Sequence, residues 1–76
     1  MEQLAVILFH SNNYVMWTAK LLKKSTLHYK IMGIPREFSS NCGYCVQIKL
    51  TESDKVEALL KDAGIEYDRI ELLPKE

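Results

Sequence analysis

The sequence predicts an α+β fold, a ferredoxin-like βαββαβ plait in which two helices cover one face of an antiparallel sheet. Three observations lead to this prediction. The hydrophobic patterns follow the order strand, helix, strand, strand, helix, strand. The chain has 76 residues, which is enough for one domain, so we treat residues 1–76 as a single domain. The preference for right-handed crossovers leaves few other ways to connect these elements.

The first strand and the first helix have clear local signals. Residues 4–9 form a continuous apolar run with β-branched members, which is typical of a strand covered on both faces. Ser11 or Asn12 can cap a helix, because both side chains accept hydrogen bonds from free backbone amides. Apolar residues then recur at helical spacing from Tyr14 to Lys24.

The second and third strands are predicted from alternation. Residues 28–32 alternate loosely and predict an edge strand. Residues 44–50 alternate cleanly, with Tyr44 facing one side of the sheet and Cys45 facing the other. The two strands therefore flank the longest irregular part of the chain.

The last helix and strand are bounded by turn-forming residues. Residues 51–54 offer helix caps, with Asp54 and Glu57 at capping-box spacing, and Gly64 is a suitable residue to end the helix. Residues 67–73 predict a final strand in which Leu72 points towards the core and Arg69 points away from it.

Composition and charge exclude several classes of function. Ten basic and ten acidic residues give a formal net charge of zero, and no basic stripe indicates nucleic-acid binding. Residues 1–3 lack the basic start of a signal peptide, and the apolar run 4–9 is too short to span a membrane. We therefore expect a cytoplasmic protein with reduced thiols, without a membrane anchor and without a cofactor.

The loop over residues 33–45 is the candidate site, because it contains both cysteines and reads as neither a helix face nor a strand face. The predicted topology places it at the same end of the molecule as His10 and Ser11, beside the N-terminus of the first helix. The helix dipole and the charge of Arg36 would favour the thiolate form of Cys42, which is the nucleophilic form.

Each of these residues also has a simpler, structural interpretation. Cys42 could be a small buried apolar residue, which is the commonest role of a free cysteine. Arg36 could pair with Glu37 or Glu66 at the surface, and His10 could simply end the first strand.

Cys42 and Cys45 have C-x-x-C spacing, but the residues that follow predict a strand rather than a helix. Three residues along a strand span about 10 Å, whereas a disulfide needs Cα atoms within about 7 Å. Gly43 would let the chain fold back and bring the two thiols together. A zinc site would need two more ligands, and His10 is the one candidate at this end, so we expect no metal.

The segment I-P-R-E-F-S-S-N-C-G, residues 34–43, follows a strand that ends F-H-S and a helix that contains A-K-L-L-K-K. This combination resembles the small selenium/sulfur carrier-like family over nearly the whole chain. Pro35, Arg36, Cys42 and Gly43 match the family motif, whereas Cys45 lies outside it. The resemblance implies that Cys42 holds sulfur or selenium as a persulfide or selenopersulfide.

Three hypotheses follow, from different classes. The leading one is a carrier in which Cys42 receives sulfur or selenium from a cysteine desulfurase-type donor and passes it to an acceptor protein. In this hypothesis Cys45 is the candidate resolving thiol, and Arg36, Pro35, Gly43, His10 and Ser11 form the binding site. A carrier of this kind need not be a turnover enzyme.

The second hypothesis is a non-catalytic interaction domain that forms a homodimer through the sheet face opposite the helices. The third is a thiol–disulfide redox protein that uses Cys42 and Cys45, which the strand geometry disfavours.

Overall fold

The computed structural model describes residues 3–38 and 43–73, and it confirms the α+β plait with two helices and a four-stranded antiparallel sheet. The sheet order is β2-β3-β1-β4, so β2 and β4 are the edge strands. Each neighbouring pair of strands is antiparallel. The elements are β1 (Leu4–Leu8), α1 (Asn12–Lys24), β2 (Lys30–Gly33), β3 (Tyr44–Lys49), a short 3₁₀ turn (Leu50–Glu52), α2 (Ser53–Ala63) and β4 (Arg69–Leu72).

Helix α1 begins as the sequence predicts. The Ser11 side chain accepts a hydrogen bond from the Asn13 amide at 3.2 Å, which satisfies one of the free donors of the first turn. Lys23 and Lys24 lie in the last turn, where the helix dipole favours positive charge.

Helix α2 ends as predicted but begins differently. Gly64 has a φ of 72°, a left-handed conformation that favours glycine, and its amide donates to the Lys61 carbonyl. The cap lies within the predicted segment 51–54, but it is Glu52 rather than the capping-box candidate Asp54. The 3₁₀ turn leads directly into the helix, so Glu52 occupies the cap position and Asp54 lies in the first helical turn.

The main core lies between the sheet and the two helices. Its buried residues from the helices include Val15 and Leu22 of α1 and Leu60 of α2. They pack on side chains of the central strands, such as Ile7 and Ile48. Full burial of each such side chain stabilises the fold by about 1.5–3 kcal/mol.

A second, smaller cluster covers the opposite face of the sheet near the end of β1. Val6, Leu8 and Cys45 are buried there. They are covered by partly buried residues of the same chain, namely Met32, Ile34, Phe38 and Leu73. The chain therefore covers part of the sheet face that the homodimer hypothesis assigned to a second subunit.

Leu72 and Trp17 are among the large apolar side chains that are exposed. Leu72 was predicted to point into the core, but 55% of it is exposed, because β4 is an edge strand with a neighbour on one side only. Trp17 is half exposed, and its ring stacks on that of Tyr14 with centroids 6.4 Å apart. Within the described ranges, neither helix is long and apolar enough to cross a membrane.

Candidate functional site

A polar pocket of about 340 Å³ lies at the end of the sheet where β1 and β2 end and where β3 and β4 begin. Phe38 and Gly43 both line this pocket. These are the two described residues on either side of residues 39–42, the segment that contains Cys42. The other lining residues come from the ends of four strands and from the start of α1: Leu8, Phe9, His10, Asn12, Ile34, Tyr44, Asp68 and Arg69.

Backbone hydrogen bonds hold both flanks of that segment. The Ile34 amide donates to the Gly43 carbonyl at 3.0 Å, which extends the β2–β3 pairing beyond the strands. The Phe38 amide donates to the Pro35 carbonyl at 3.0 Å and closes a turn. Pro35 is half-buried and Arg36 is exposed in this turn. The binding roles predicted for these two residues stay predictions.

Gly43 lies where a larger residue would be crowded. A Cβ atom at this position would approach the Ile34 side chain to 3.3 Å, closer than ordinary van der Waals contact. The absence of a side chain therefore lets Ile34 pack against the backbone that directly follows Cys42. This gives a packing reason for the glycine in the sequence motif.

The start of α1 adjoins the start of β3, as the predicted topology requires. The Tyr44 amide donates to the Asn12 side-chain oxygen at 3.4 Å. Ser11 is engaged in capping the helix, and the first turn of α1 contains no acidic residue that would offset its positive dipole end. The described flank of the cysteine loop thus lies against a helix N-terminus.

Arg69 is the basic residue that lines this pocket, and the sequence analysis did not select it. Its guanidinium donates to the Phe38 carbonyl at 2.6 Å, to Asp68 at 2.7 Å and to Glu71 at 3.0 Å. The hydrogen bond to Glu71 is the main cause that raises the pKa of Arg69 above its ordinary value. Arg69 therefore joins β4 to the loop between β2 and β3.

A signal for Arg69 was present in the sequence. It is the first outward-facing residue of the last strand, and the plait topology makes that strand begin at the same end as the loop. The β1–β4 register places Arg69 opposite Leu8, at the end of β1.

His10 lies at the rim of the pocket and is largely exposed, with its imidazole 3.9 Å from the Asp68 carboxylate. It also lines a larger, open groove of about 600 Å³ beside α2. His28 is at the other end of the molecule and lies 3.6 Å from Glu52. Among the residues that the structure describes, no three His, Cys, Asp or Glu side chains converge on a metal position.

Cys45 lies within β3, as predicted, and its side chain is fully buried. Burial raises the pKa of the Cys45 thiol to about 11, and its sulfur lies 3.9 Å from the Gly33 carbonyl oxygen. A thiol with this pKa is almost entirely protonated at neutral pH. The resolving role of Cys45 stays a prediction, and it would require this side chain to become exposed.

Cys42 itself, with its neighbours Ser39, Ser40 and Asn41, lies outside the described residues. Its role in the site therefore stays a prediction. The described surroundings include the Arg69 guanidinium, the His10 imidazole, the Asp68 carboxylate and the N-terminus of α1, at one end of the sheet. A guanidinium and a helix N-terminus favour a thiolate over a thiol, and the Asp68 carboxylate offsets part of the arginine charge.

The fold and this pocket define a small α+β plait with a polar pocket at the end of the sheet where the β2–β3 loop begins and ends. The chain belongs to the family described as Putative Se/S carrier protein-like, whose sequence profile matches residues 4–71. This match confirms the family that the sequence motif indicates. No curated protein and no solved structure gives a significant match.

Proposed function

We propose that this protein carries sulfur or selenium as a persulfide or selenopersulfide on Cys42 and delivers it to an acceptor protein. The observation that carries the proposal is the family match together with the pocket: the two described residues that flank the Cys42 segment line the same polar pocket. The family name gives the cargo, and the pocket supplies groups that suit an anionic sulfur species.

The loading step is a thiol–persulfide exchange. The Cys42 thiolate attacks the outer sulfur of a protein persulfide on a cysteine desulfurase-type donor. A new S–S bond forms at Cys42 as the S–S bond of the donor breaks, and the donor cysteine leaves as a thiolate. One persulfide is lost and one is gained, so the step needs no external oxidant or reductant. Selenium would occupy the position of the outer sulfur in a selenopersulfide.

The residues around the pocket would favour both the attack and the product. A persulfide is anionic near neutral pH, so the α1 N-terminus and the Arg36 guanidinium would stabilise it. The charge of Arg69 is largely offset by Asp68 and Glu71, and its role in this proposal is to position the loop that leads to Cys42 through its hydrogen bond to the Phe38 carbonyl. His10 would offer a hydrogen bond from its imidazole at the pocket rim.

Delivery is the reverse exchange with a different protein. The acceptor thiolate attacks the outer sulfur, and Cys42 leaves as a thiolate. The burial of Cys45 supports a carrier over a two-cysteine redox protein. A buried, protonated thiol is a poor nucleophile, so Cys45 would not attack Cys42, form an internal disulfide and release the bound sulfur. The persulfide would then persist until an acceptor protein arrives.

The test is intact-mass spectrometry after incubation with a cysteine desulfurase and cysteine. The parent is expected to gain one sulfur atom that a reductant removes, Cys42→Ser is expected to gain none, and Cys45→Ala is expected to behave like the parent. Circular dichroism checks that each variant is folded. No adduct on a folded parent would refute the carrier proposal and leave the interaction domain as the better hypothesis.

A further inference from the structure

An apolar patch lies beside the candidate site, on the β2 edge of the molecule. Met16 of α1, Ile31 of β2 and Tyr44 of β3 form its exposed part, and we call these three residues the Met16 patch. Their exposed fractions are 54%, 36% and 54%. Asn12 and Val15 complete a groove of about 260 Å³ between them. Apolar side chains that cluster on a surface in this way are typical of contact sites for other proteins.

The Met16 patch is continuous with the candidate site. Asn12 and Tyr44 line both the groove of the patch and the polar pocket, and Tyr44 is two residues after Cys42 in the chain. A protein that contacts the patch is therefore close to the segment that carries Cys42. Sulfur exchange requires direct contact between the two sulfur atoms, so both partners need a docking surface near this segment.

The charge around the patch indicates the chemistry of its partner. Residues 3–49 contain six basic residues and one acidic residue, whereas residues 50–73 contain three basic and seven acidic residues. Lys20 and Lys23 follow Met16 by four and seven positions, so they lie along the same side of α1. Both are exposed, and neither forms an ion pair with any residue that the structure describes.

This charge distribution disfavours a symmetric dimer through the patch. A two-fold interface places the same surface of both copies in contact, so the positive charge that borders each patch would accumulate in the interface. Like charges in contact oppose association. A partner with an apolar side chain set among carboxylates fits both the groove and its basic border.

We infer that the Met16 patch is the docking surface for the protein that supplies the sulfur, a persulfide donor that presents an apolar side chain surrounded by carboxylates. The inference rests on the proposed carrier function and adds the surface and the chemistry of the partner. Apolar contact at Met16 provides the affinity, and the lysines speed the encounter in a salt-dependent manner.

The experiment compares two sulfur sources by timed quenching and intact-mass spectrometry. One source is a cysteine desulfurase from the same organism with cysteine, and the other is inorganic polysulfide, which needs no docking surface. Met16→Asp is paired with Leu72→Asp, because Leu72 is equally exposed, at 55%, on the opposite edge strand. Lys20→Glu is paired with Lys55→Glu, an exposed lysine on α2.

Met16→Asp and Lys20→Glu are expected to load at least about tenfold more slowly from the desulfurase and at the parental rate from polysulfide. The two control variants are expected to match the parent with both sources. Higher salt is expected to slow the desulfurase reaction of the parent and to affect Lys20→Glu less.

Each other outcome overturns the inference. Equal desulfurase rates for Met16→Asp and Leu72→Asp would leave the carrier function intact and refute the docking surface. Loading of the parent from polysulfide alone would show that the desulfurase is not the partner of this patch. No loading from either source would refute the carrier function and the inference together. An oligomer of the parent that Met16→Asp dissociates would assign the patch to a second copy of the chain.

Discussion

The burial of one side chain, that of Cys45, makes the stability of the fold depend on pH. Cys45 lies on the sheet face opposite the helices, beneath Ile34 and Phe38, which belong to the loop that leads to Cys42. Its burial raises the thiol pKa from 9.0 to about 11, so the folded chain holds this proton more tightly than the unfolded chain.

The free energy of unfolding is therefore expected to depend on the protonation of Cys45. The stabilisation that comes from the protonated Cys45 thiol is fully present below pH 9 and is lost as the pH rises to about 11. Over this range the free energy of unfolding falls by at most about 1.4 kcal/mol per pH unit. Urea unfolding at pH 8 and pH 10.5 measures it, with Cys45→Ala as the reference that lacks the thiol. An equal loss of stability in the parent and in Cys45→Ala would contradict the burial account.

Arg69 is expected to control the order of the cysteine loop. Arg69→Ala removes the donor to the Phe38 carbonyl, so the Phe38 amide, which bonds to Pro35, should exchange with deuterium severalfold faster. Lys55→Ala is the matched control, because it removes one positive charge from α2. Unchanged exchange at Phe38 in Arg69→Ala would show that the guanidinium does not hold the loop.

At the scale of elements, the start of α1 has two roles, in stability and in the site. Ser11 caps the helix, and Asn12 binds the backbone of β3. The first backbone amides of a helix have no acceptor within the helix, so a helix of 13 residues depends on such end contacts.

Ser11→Ala is expected to lower the free energy of unfolding by about 1 kcal/mol, because the Asn13 amide loses its acceptor. Ser11→Asp should retain the stability or increase it, since the first turn contains no acidic residue and the dipole favours negative charge there. Urea denaturation measures both variants. Ser25→Ala, at the other end of α1, serves as the control, and an equal effect at Ser25 would argue against capping.

At the scale of the whole molecule, a small core makes each large buried side chain important. A chain of 76 residues is expected to have a total stability of about 4–11 kcal/mol. Leu22 is fully buried between α1 and the sheet. Its packing is therefore a considerable share of the stability of the domain.

Leu22→Ala is expected to cost about 2–5 kcal/mol, a large share of the total stability, and to lower the melting temperature markedly. Leu22→Met preserves most of the volume and should cost less than about 1.5 kcal/mol. Thermal unfolding followed by circular dichroism compares the two. A melting temperature for Leu22→Ala close to that of the parent would show that this core is not limiting.

The sequence predicted those parts of the molecule that depend on local patterns. The stripe Val15, Thr18, Ala19 and Leu22 is the buried face of α1, as its helical spacing predicts, and β1 is a central strand, as its short apolar run with β-branched residues predicts. Gly64 ends α2 because a left-handed residue is needed there.

The parts that were missed depend on contacts between distant residues. The 3₁₀ turn before α2 places the cap at Glu52 rather than at the capping-box candidate Asp54. The cover that Ile34 and Phe38 give to Cys45 joins residues that no local pattern relates. The bond from Arg69 to Phe38 likewise spans 31 positions of the chain.

The most direct test of the account is to locate the labile sulfur after loading by a cysteine desulfurase. Alkylation followed by chymotrypsin cleavage after Tyr44 separates Cys42 from Cys45, and tandem mass spectrometry then assigns the extra sulfur to one peptide. We expect a reductant-labile sulfur on Cys42 and none on Cys45. Sulfur on Cys45, or none on a folded protein, would contradict the carrier proposal.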